Sequence, residues 1–205
     1  MNSERGLQIA GGRVDWVTCP ATTDVALIRR MAEGDRLAMQ VLFGRHHIRL
    51  YRFLLRLVNN SALAEDLIGE VFLEVWRRAD KFRGRCQVST WVMAIARRKA
   101  YTALRKRGDD RLDETTAEAI ADDASDPERM VHDRGRSMIL RDCLEQLSPD
   151  HREVIDLVYY HVKSIEEVAT IIGVPKSTVK SRMFYARKRL ADLLAVRSVG
   201  RDCLH

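Results

Sequence analysis

Residues 164–190, SIEEVATIIGVPKSTVKSRMFYARKRL, decide how this chain is read. Ser164 followed three residues later by Glu167 is a capping box, so a helix starts there. Ile165, Val168, Ala169 and Ile172 fall at i, i+3, i+4 and i+7, an apolar stripe along one helical face. Gly173 supplies the stop, and Pro175 suits the first turn of a second helix. In that helix Val179, Met183, Ala186 and Leu190 line one face. A turn of about 100° per residue puts Ser177, Ser181, Phe184 and Lys188 on the other. Two short helices joined by a Gly-containing turn, the second rich in Lys and Arg, describe a helix-turn-helix. The competing reading is two bundle helices with solvated cations. Lys176, Lys180, Arg182, Arg187, Lys188 and Arg189 in one helix exceed what solubility requires.

Around this motif the chain has 205 residues, enough for one large or two small domains with real cores. With only 11 Gly and 4 Pro among abundant helix formers, an all-α class is expected. The net charge of +6 hides an asymmetry. Residues 109–128 hold nine acids and one base, Arg111, for a net −8, which leaves +14 on the remainder. Two basic blocks flanking an acidic strip point to a polyanionic partner, most often nucleic acid. Cys19, Cys86, Cys143 and Cys203 are widely spaced, with no CxxC pair and no zinc spacing. Reduced thiols of a cytoplasmic protein are expected, with a redox role for Cys19 or Cys203 as the alternative. No apolar run approaches the roughly 18 residues of a membrane span, and no signal-peptide core follows Met1. No membrane insertion is expected.

Upstream, residues 1–22 lack periodicity and read as a tail. Asp24 can cap a helix carrying Val25, Ile28 and Met31, which Gly34-Asp35 interrupts. A long apolar-periodic run follows through Leu37, Val41, Leu42, Ile48, Tyr51, Leu54, Leu55 and Val58, ended by Asn59-Asn60-Ser61. His46 and His47 are adjacent, so they point about 100° apart on a helix and make poor co-ligands for a metal. Residues 62–84, ALAEDLIGEVFLEVWRRADKFRG, carry a core stripe of Ile68, Val71, Phe72 and Val75. Asp66, Glu70 and Glu74 recur at i, i+4 and i+8 on another face. Like charges so spaced cost a few tenths of a kcal/mol per pair, in part offset by Glu74 facing Arg78. The strip is either a solvated face or a docking surface for a basic helix.

After a loop comes STWVMAIARRKAYTALRKR, residues 89–107, with Ser89 or Thr90 as its cap. Trp91, Ile95, Tyr101 and Leu104 offer packing, and Arg97, Arg98, Lys99, Arg105, Lys106 and Arg107 supply cations. Aromatics interleaved with bases suit a single-stranded nucleic acid, which needs stacking and phosphate neutralisation. A buried Trp91 anchoring the bundle is the other reading. Farther on, Arg136 to Leu147 is an amphipathic helix with Ile139, Leu140, Cys143, Leu144 and Leu147. Ser148-Pro149 opens the next, whose Val154, Ile155, Val158 and Val162 are expected to pack under the helix-turn-helix.

In this order the stretches resemble a bacterial RNA polymerase sigma factor of the extracytoplasmic-function type. Residues 62–84 resemble region 2.2, 85–107 regions 2.3 and 2.4, and 136–196 region 4. The resemblance implies two helical domains, 23–107 and 136–196, joined by an acidic flexible linker at 108–135, with tails at 1–22 and 197–205. It implies partners rather than chemistry: core RNA polymerase, promoter DNA and an anti-sigma factor, with no cofactor, no metal and no catalytic residue. Asp66, Glu70, Phe72 and Trp76 take the polymerase-clamp positions. Lys81, Arg83, Trp91, Arg97, Arg98 and Arg105 go to the −10 element, where the loop from Lys81 to Thr90 corresponds to one that captures a flipped base. Lys176, Ser177, Thr178, Lys180, Ser181, Arg182, Phe184, Tyr185, Arg187 and Lys188 go to the −35 element.

The chain departs from the family pattern in places. Gly69 replaces a usual Gln, placing Gly inside a helix. Arg98 replaces a common Asn, and Thr102 a usual Asp, so the −10 face is more basic. Ala94 and Ile95 stand where housekeeping members carry a wedging Trp pair. Two readings of other classes stay open. A dimeric repressor would bind duplex DNA without polymerase, and a nuclease would need a compact acid cluster for metal. No triad, metal set or phosphate loop is found.

Overall fold

The computed structural model describes residues 22–110 and 139–202, and every regular element among them is helical. α1 (Asp24–Ala32) is capped by Thr23, whose hydroxyl accepts from the Ala26 amide at 3.2 Å. The cap therefore falls one residue before Asp24. That carboxylate instead reaches α2 (Arg36–Val58), accepting from Arg45 at 2.8 Å and lying 2.7 Å from His46 Nε2. The hydrogen bond with His46 outweighs burial and, with Arg45, holds Asp24 at a pKa of about 2. His46 is thus a structural partner, while His47 stacks on Phe43 with ring centroids 4.9 Å apart.

Asp35 caps α2 by accepting from the Leu37 and Ala38 amides. Asn59 ends it in the left-handed region, φ 48°, a conformation that Asn tolerates better than most residues. Asn60 then caps α3 (Ser61–Arg77) through the Leu63 amide at 2.8 Å. A 3₁₀ turn at Ala79–Lys81 and a loop lead into α4 (Val88–Asp110). The helix begins before Ser89 and Thr90, so neither hydroxyl serves as its cap; both are engaged elsewhere.

The second lobe opens with α5, residues 139–145. Next comes α6 (Pro149–Ile155), capped by Ser148 with Pro149 in its first turn. Its continuation, Asp156–Tyr160, widens into a π-helical turn closed by the His161 amide on the Asp156 carbonyl. The extra residue shifts the register, so Val162 leaves the stripe expected for it: it sits at φ 52° and is 82% exposed. α7 (Ile165–Ile172) carries the complete capping box of Ser164 and Glu167. Gly173, φ 78°, takes the left-handed turn that a Cβ would strain, and α8 (Lys176–Asp202) follows.

Leu27, Ile28 and Met31 pack with Leu42, Phe53 and Leu54, with Val71, Phe72 and Val75, and with Val92, Ile95 and Ala96. Each Leu, Ile, Val, Met or Phe so buried contributes about 1.5–3 kcal/mol. Leu37 and Ile48 belong to the expected apolar run but are exposed. Eleven residues apart, they share a flank of α2 that no described helix covers. In the second lobe Leu147, Val154, Leu157, Val168, Ile172, Val179, Met183 and Ala186 close a core continuous with the first. The lobes meet where α4 lies along α7. The tail at 1–22 and the linker at 108–135 lie almost wholly outside the described residues. α4 runs to Asp110 and α8 to Asp202, past the boundaries expected at 107 and 196.

Candidate nucleic-acid interface

α8 is fixed from below by Val179, Met183 and Ala186, all buried. That pins the opposite face outward. Lys176, Ser177, Lys180, Ser181, Phe184, Tyr185, Arg187 and Lys188 are exposed, and Thr178 is half-buried. Phe184 and Tyr185 are 64% and 58% exposed and meet edge to face at 5.4 Å. Two aromatics side by side in water on a basic helix leave an exposed apolar surface there. Lys176 reaches Glu166 at 3.0 Å, an exposed pair of little energetic weight. Arg182 differs from its neighbours. It is 23% exposed and bound to Asp150 at 2.6 Å, tying α8 to the start of α6.

The residues assigned to the −10 element do not form one open face. Lys81, Arg83 and Arg105 are exposed. Trp91 is half-buried against Phe82, ring centroids 5.1 Å apart, so one part of its ring packs and the rest stays accessible. Arg98 pairs with Glu74 of α3. Arg97 points the other way, into the second lobe. Its Nε and Nη2 donate to Glu153 at 2.7 and 3.1 Å, and its Nη1 donates to the Ile172 carbonyl at 3.2 Å. Ile95, at one of the wedge positions, is buried and cannot intrude between bases.

On α3, Asp66 and Glu70 are exposed while Phe72 is buried and Trp76 half-buried behind them. The strip is less acidic than the sequence implies. Lys99 reaches Glu70 at 2.8 Å and Glu74 at 3.6 Å, and Arg78 meets Glu74 at 3.2 Å as its spacing foretold. Glu70, Leu73, Glu74, Arg77, Arg78 and Lys99 line an open groove there.

Sequence reasoning missed Glu153, Asp156, Lys163 and the second role of Glu167. Lys163 donates to Ser89 at 2.8 Å, Thr90 at 3.2 Å and Glu167 at 3.0 Å. Thr90, fully buried, donates to Glu167 at 2.6 Å. Burial alone raises the Glu167 carboxyl, but Thr90, the Ser164 amide and Lys163 together bring it down to about 2. A charged residue between turn and helix was the only signal available for Lys163. Cys86 lies beside this cluster; burial first, then Glu167, push its thiol up, which makes it a weak nucleophile. Cys143 is buried, and Cys19 and Cys203 lie outside the described residues. No His, Cys, Asp or Glu grouping among the described residues could hold a metal ion. No described helix is long and apolar enough to cross a membrane.

Comparison with known proteins agrees with this layout. The family model for Sigma-70 region 2 matches residues 42–109, and that for Sigma-70 region 4 matches 137–190. The chain is 34% identical over 172 residues to the RNA polymerase sigma factor CarQ of Myxococcus xanthus, covering 82% of this chain and 95% of that one. It is 29% identical to the ECF RNA polymerase sigma factor SigL of Mycobacterium tuberculosis, covering 81% and 94%. Among solved structures it is similar to the sigma factor RpoE of Bartonella quintana, crystallised with the anti-sigma factor NepR. That match has a TM-score of 0.59 at 29% identity and covers 75% of this chain and 94% of that one. CnrH, solved with the cytosolic domain of CnrY, shares the fold at TM-score 0.63 and 21% identity, covering 85% and 99%. The chain belongs to the extracytoplasmic-function group of sigma-70 factors: it is not an enzyme but a transcription initiation factor, which binds core RNA polymerase and directs it to promoters.

Proposed function

We propose that three faces of the chain divide the work of initiation. α8 reads the −35 element, α4 and the loop before it take the −10 element, and the Asp66–Glu70 strip of α3 docks on a basic clamp helix of the polymerase. The observation that carries this reading is α8, a helix pinned by a buried stripe that leaves Phe184, Tyr185 and five cations in water. A helix so presented fits the major groove. Lys180 and Ser181 hydrogen-bond base edges there, and Phe184 meets a thymine methyl. Arg187 and Lys188, a turn or more later, neutralise phosphates. Arg182 supports the helix through Asp150 and approaches DNA only if that pair opens.

On α4, Trp91 gives an extruded base a surface to stack on, while Lys81, Arg83 and Arg105 attract the strand. Phe72 and Trp76 stiffen α3 from behind, so the exposed carboxylates meet the clamp on a rigid surface. The protein works in the cytoplasm, where core polymerase and promoters are, in a stress or envelope response. Its idle form is held by an anti-sigma factor, as the Bartonella quintana relative was crystallised with one.

The test is copurification with core polymerase followed by run-off transcription. The chain with core is expected to initiate at a subset of promoters and to bind promoter duplex weakly alone. Tight sequence-specific duplex binding by the free chain, without stimulation of polymerase, contradicts the reading. An anti-sigma factor is expected to copurify from the native host. Inactivity of the protein there with no copurifying partner removes that part.

A further inference from the structure

We propose that residues 13–17 of the chain's own N-terminal segment dock on the outer flank of α2, with Trp16 lying over Gly44 between Leu37 and Ile48. The starting point is a face that the described helices leave bare. Leu37, Val41, Gly44 and Ile48 recur at i, i+4, i+7 and i+11, so they share one line of α2. That line runs opposite the stripe of Leu42, Leu50, Phe53 and Leu54 that enters the core. Leu37 is 60% exposed and Ile48 55%, and Val41 is half-buried. Gly44 is exposed, and a Cβ added there would meet nothing within 4 Å. Glycine weakens a helix interior. Here it leaves a notch between apolar walls, shaped for a large flat side chain.

The occupant follows from where the described residues begin. Thr22 is the first of them, and its carbonyl accepts from Arg45 Nη1 at 2.7 Å. Asp24 accepts from the same nitrogen at 2.8 Å and lies 2.7 Å from His46 Nε2. This clasp fixes the root of the N-terminal segment against the middle of α2. Arg45 follows Gly44 directly and stands about 70° round the helix from the centre of the bare line. The segment therefore departs from the rim of the flank that needs covering. Trp16 precedes Thr22 by six residues, a reach of up to about 20 Å when extended. The line from Leu37 to Ile48 is about 16 Å long, so all of it lies within range.

Composition selects the part of the segment that docks. Trp16 is the sole aromatic of residues 1–21, and it stands with Val14 and Val17 between Gly11-Gly12 and Pro20. Leu7 and Ile9 lie farther from the anchor, beyond the glycine pair. An indole laid on aliphatic side chains removes a large apolar area from water while its N–H stays free to meet solvent at the edge. Charge agrees with this placement. α2 has no Asp or Glu in its 23 residues, and Arg52, one turn after Ile48, is exposed on the same rim as Arg45. Asp15, between Val14 and Trp16, supplies the opposite charge. None of these residues is assigned to promoter or polymerase above.

Two substitutions in the full-length chain separate the seat from its occupant. Gly44→Gln fills the notch with a good helix former in open space, so the lobe keeps its fold. Trp16→Ala removes the occupant and touches no described helix, and it carries the test if the glutamine variant does not fold. Trypsin reads the docked population, because cleavage follows the fraction of molecules in which a site is open. Cleavage after Arg13 is expected to accelerate roughly tenfold in both variants, while cleavage after Arg5, outside the seat, keeps its rate. Methyl NMR reads the contact itself. The native chain is expected to show a nuclear Overhauser contact between the Trp16 indole and the Ile48 methyl group, and Gly44→Gln to lose it. An Ile48 signal and an Arg13 rate that neither variant moves overturn the proposal. So does an Ile48 signal that moves with protein concentration, which gives the flank to a second copy of the chain. One that moves only when core polymerase is added overturns it too, by giving the flank to the enzyme.

Discussion

The two helices that carry most of the chain's cations are held in opposite ways. α8 has its apolar stripe buried and its polar face in water, with ion pairs from Lys176 to Glu166 and from Arg182 to Asp150. α4 is enclosed on both flanks: Arg98 and Lys99 pair with the carboxylates of α3, and Arg97 pairs with Glu153 of α6. A positive face is therefore not one kind of object. On α8 the charge is available on arrival, whereas on α4 Arg97, Arg98 and Lys99 are held by the protein's own acids while Arg105 and Lys106 stay exposed. Of these pairs only Arg97 with Glu153 is largely buried; Arg98 with Glu74 and Lys99 with Glu70 each have one partner more than half exposed, so their energetic weight is small.

The largest effect that sharpens this contrast concerns the acids rather than the bases. Reversing Asp66 and Glu70 to Lys is expected to cost several kcal/mol of core-polymerase affinity, measured by competition binding, because like charges would then face each other. Folding is expected to change by roughly a kcal/mol or less, since both acids are exposed. Unchanged polymerase affinity would return the strip to solvent. Next in size is Lys180→Ala, expected to cost roughly 1–3 kcal/mol on the preferred −35 sequence and to relax preference at one position. Arg187→Ala should be smaller and of another kind. It is expected to weaken all −35 sequences alike and to lower the magnitude of the salt slope by about one unit. Holoenzyme binding to a −35 library at several salt concentrations reads both. A reshaped preference from Arg187→Ala with none from Lys180→Ala would mean that α8 is turned the other way in the groove.

The smallest effect is a pH dependence. Glu167 is held at about 2 in the folded chain against an ordinary 4.5, so its carboxylate is favoured by folding. A depressed pKa gives stability that is complete above the unfolded value and lost as pH falls through the folded one. Stability is therefore expected to weaken between about pH 4.5 and 2. Glu167→Gln should flatten that part of a stability–pH curve measured by thermal melting. Asp24, in the contact of α1 with α2, is held at about 2 and contributes over a similar range.

How much could be read from the sequence follows from the distance over which each feature is encoded. The capping box of Ser164 and Glu167, the left-handed Gly173 and the stripe of Val179, Met183 and Ala186 each depend on neighbours within a few turns, and all are present. So are the core stripe on α3 and the outward Phe184. Errors arose where two local rules compete. Thr23 and Asp24 are both good caps, and the hydroxyl took the position while the acid found Arg45 and His46. Val162 was lost to a π turn that no periodicity announces. Leu37 and Ile48 obey the helical period without a neighbour to cover them. The contact between the lobes was invisible for a different reason. Arg97 and Glu153 stand 56 residues apart, and Arg56 and Asp156 stand 100 apart, so only the folded chain brings them together. Sequence alone gave Arg97 to DNA and left Glu153 without a role.

The division of labour between the two helices can be tested directly by site-specific crosslinking in the holoenzyme. A photoreactive phenylalanine analogue at position 91 or 184 would be bound to a promoter labelled separately in its −10 strand and its −35 duplex. Position 184 is expected to crosslink to the −35 duplex alone, before and after melting, because its helix face is already open. Position 91 is expected to crosslink to the −10 strand only in complexes where polymerase is present. Crosslinks from position 184 to the −10 strand, or from position 91 to −35 duplex in the free chain, would contradict the assignment of both faces.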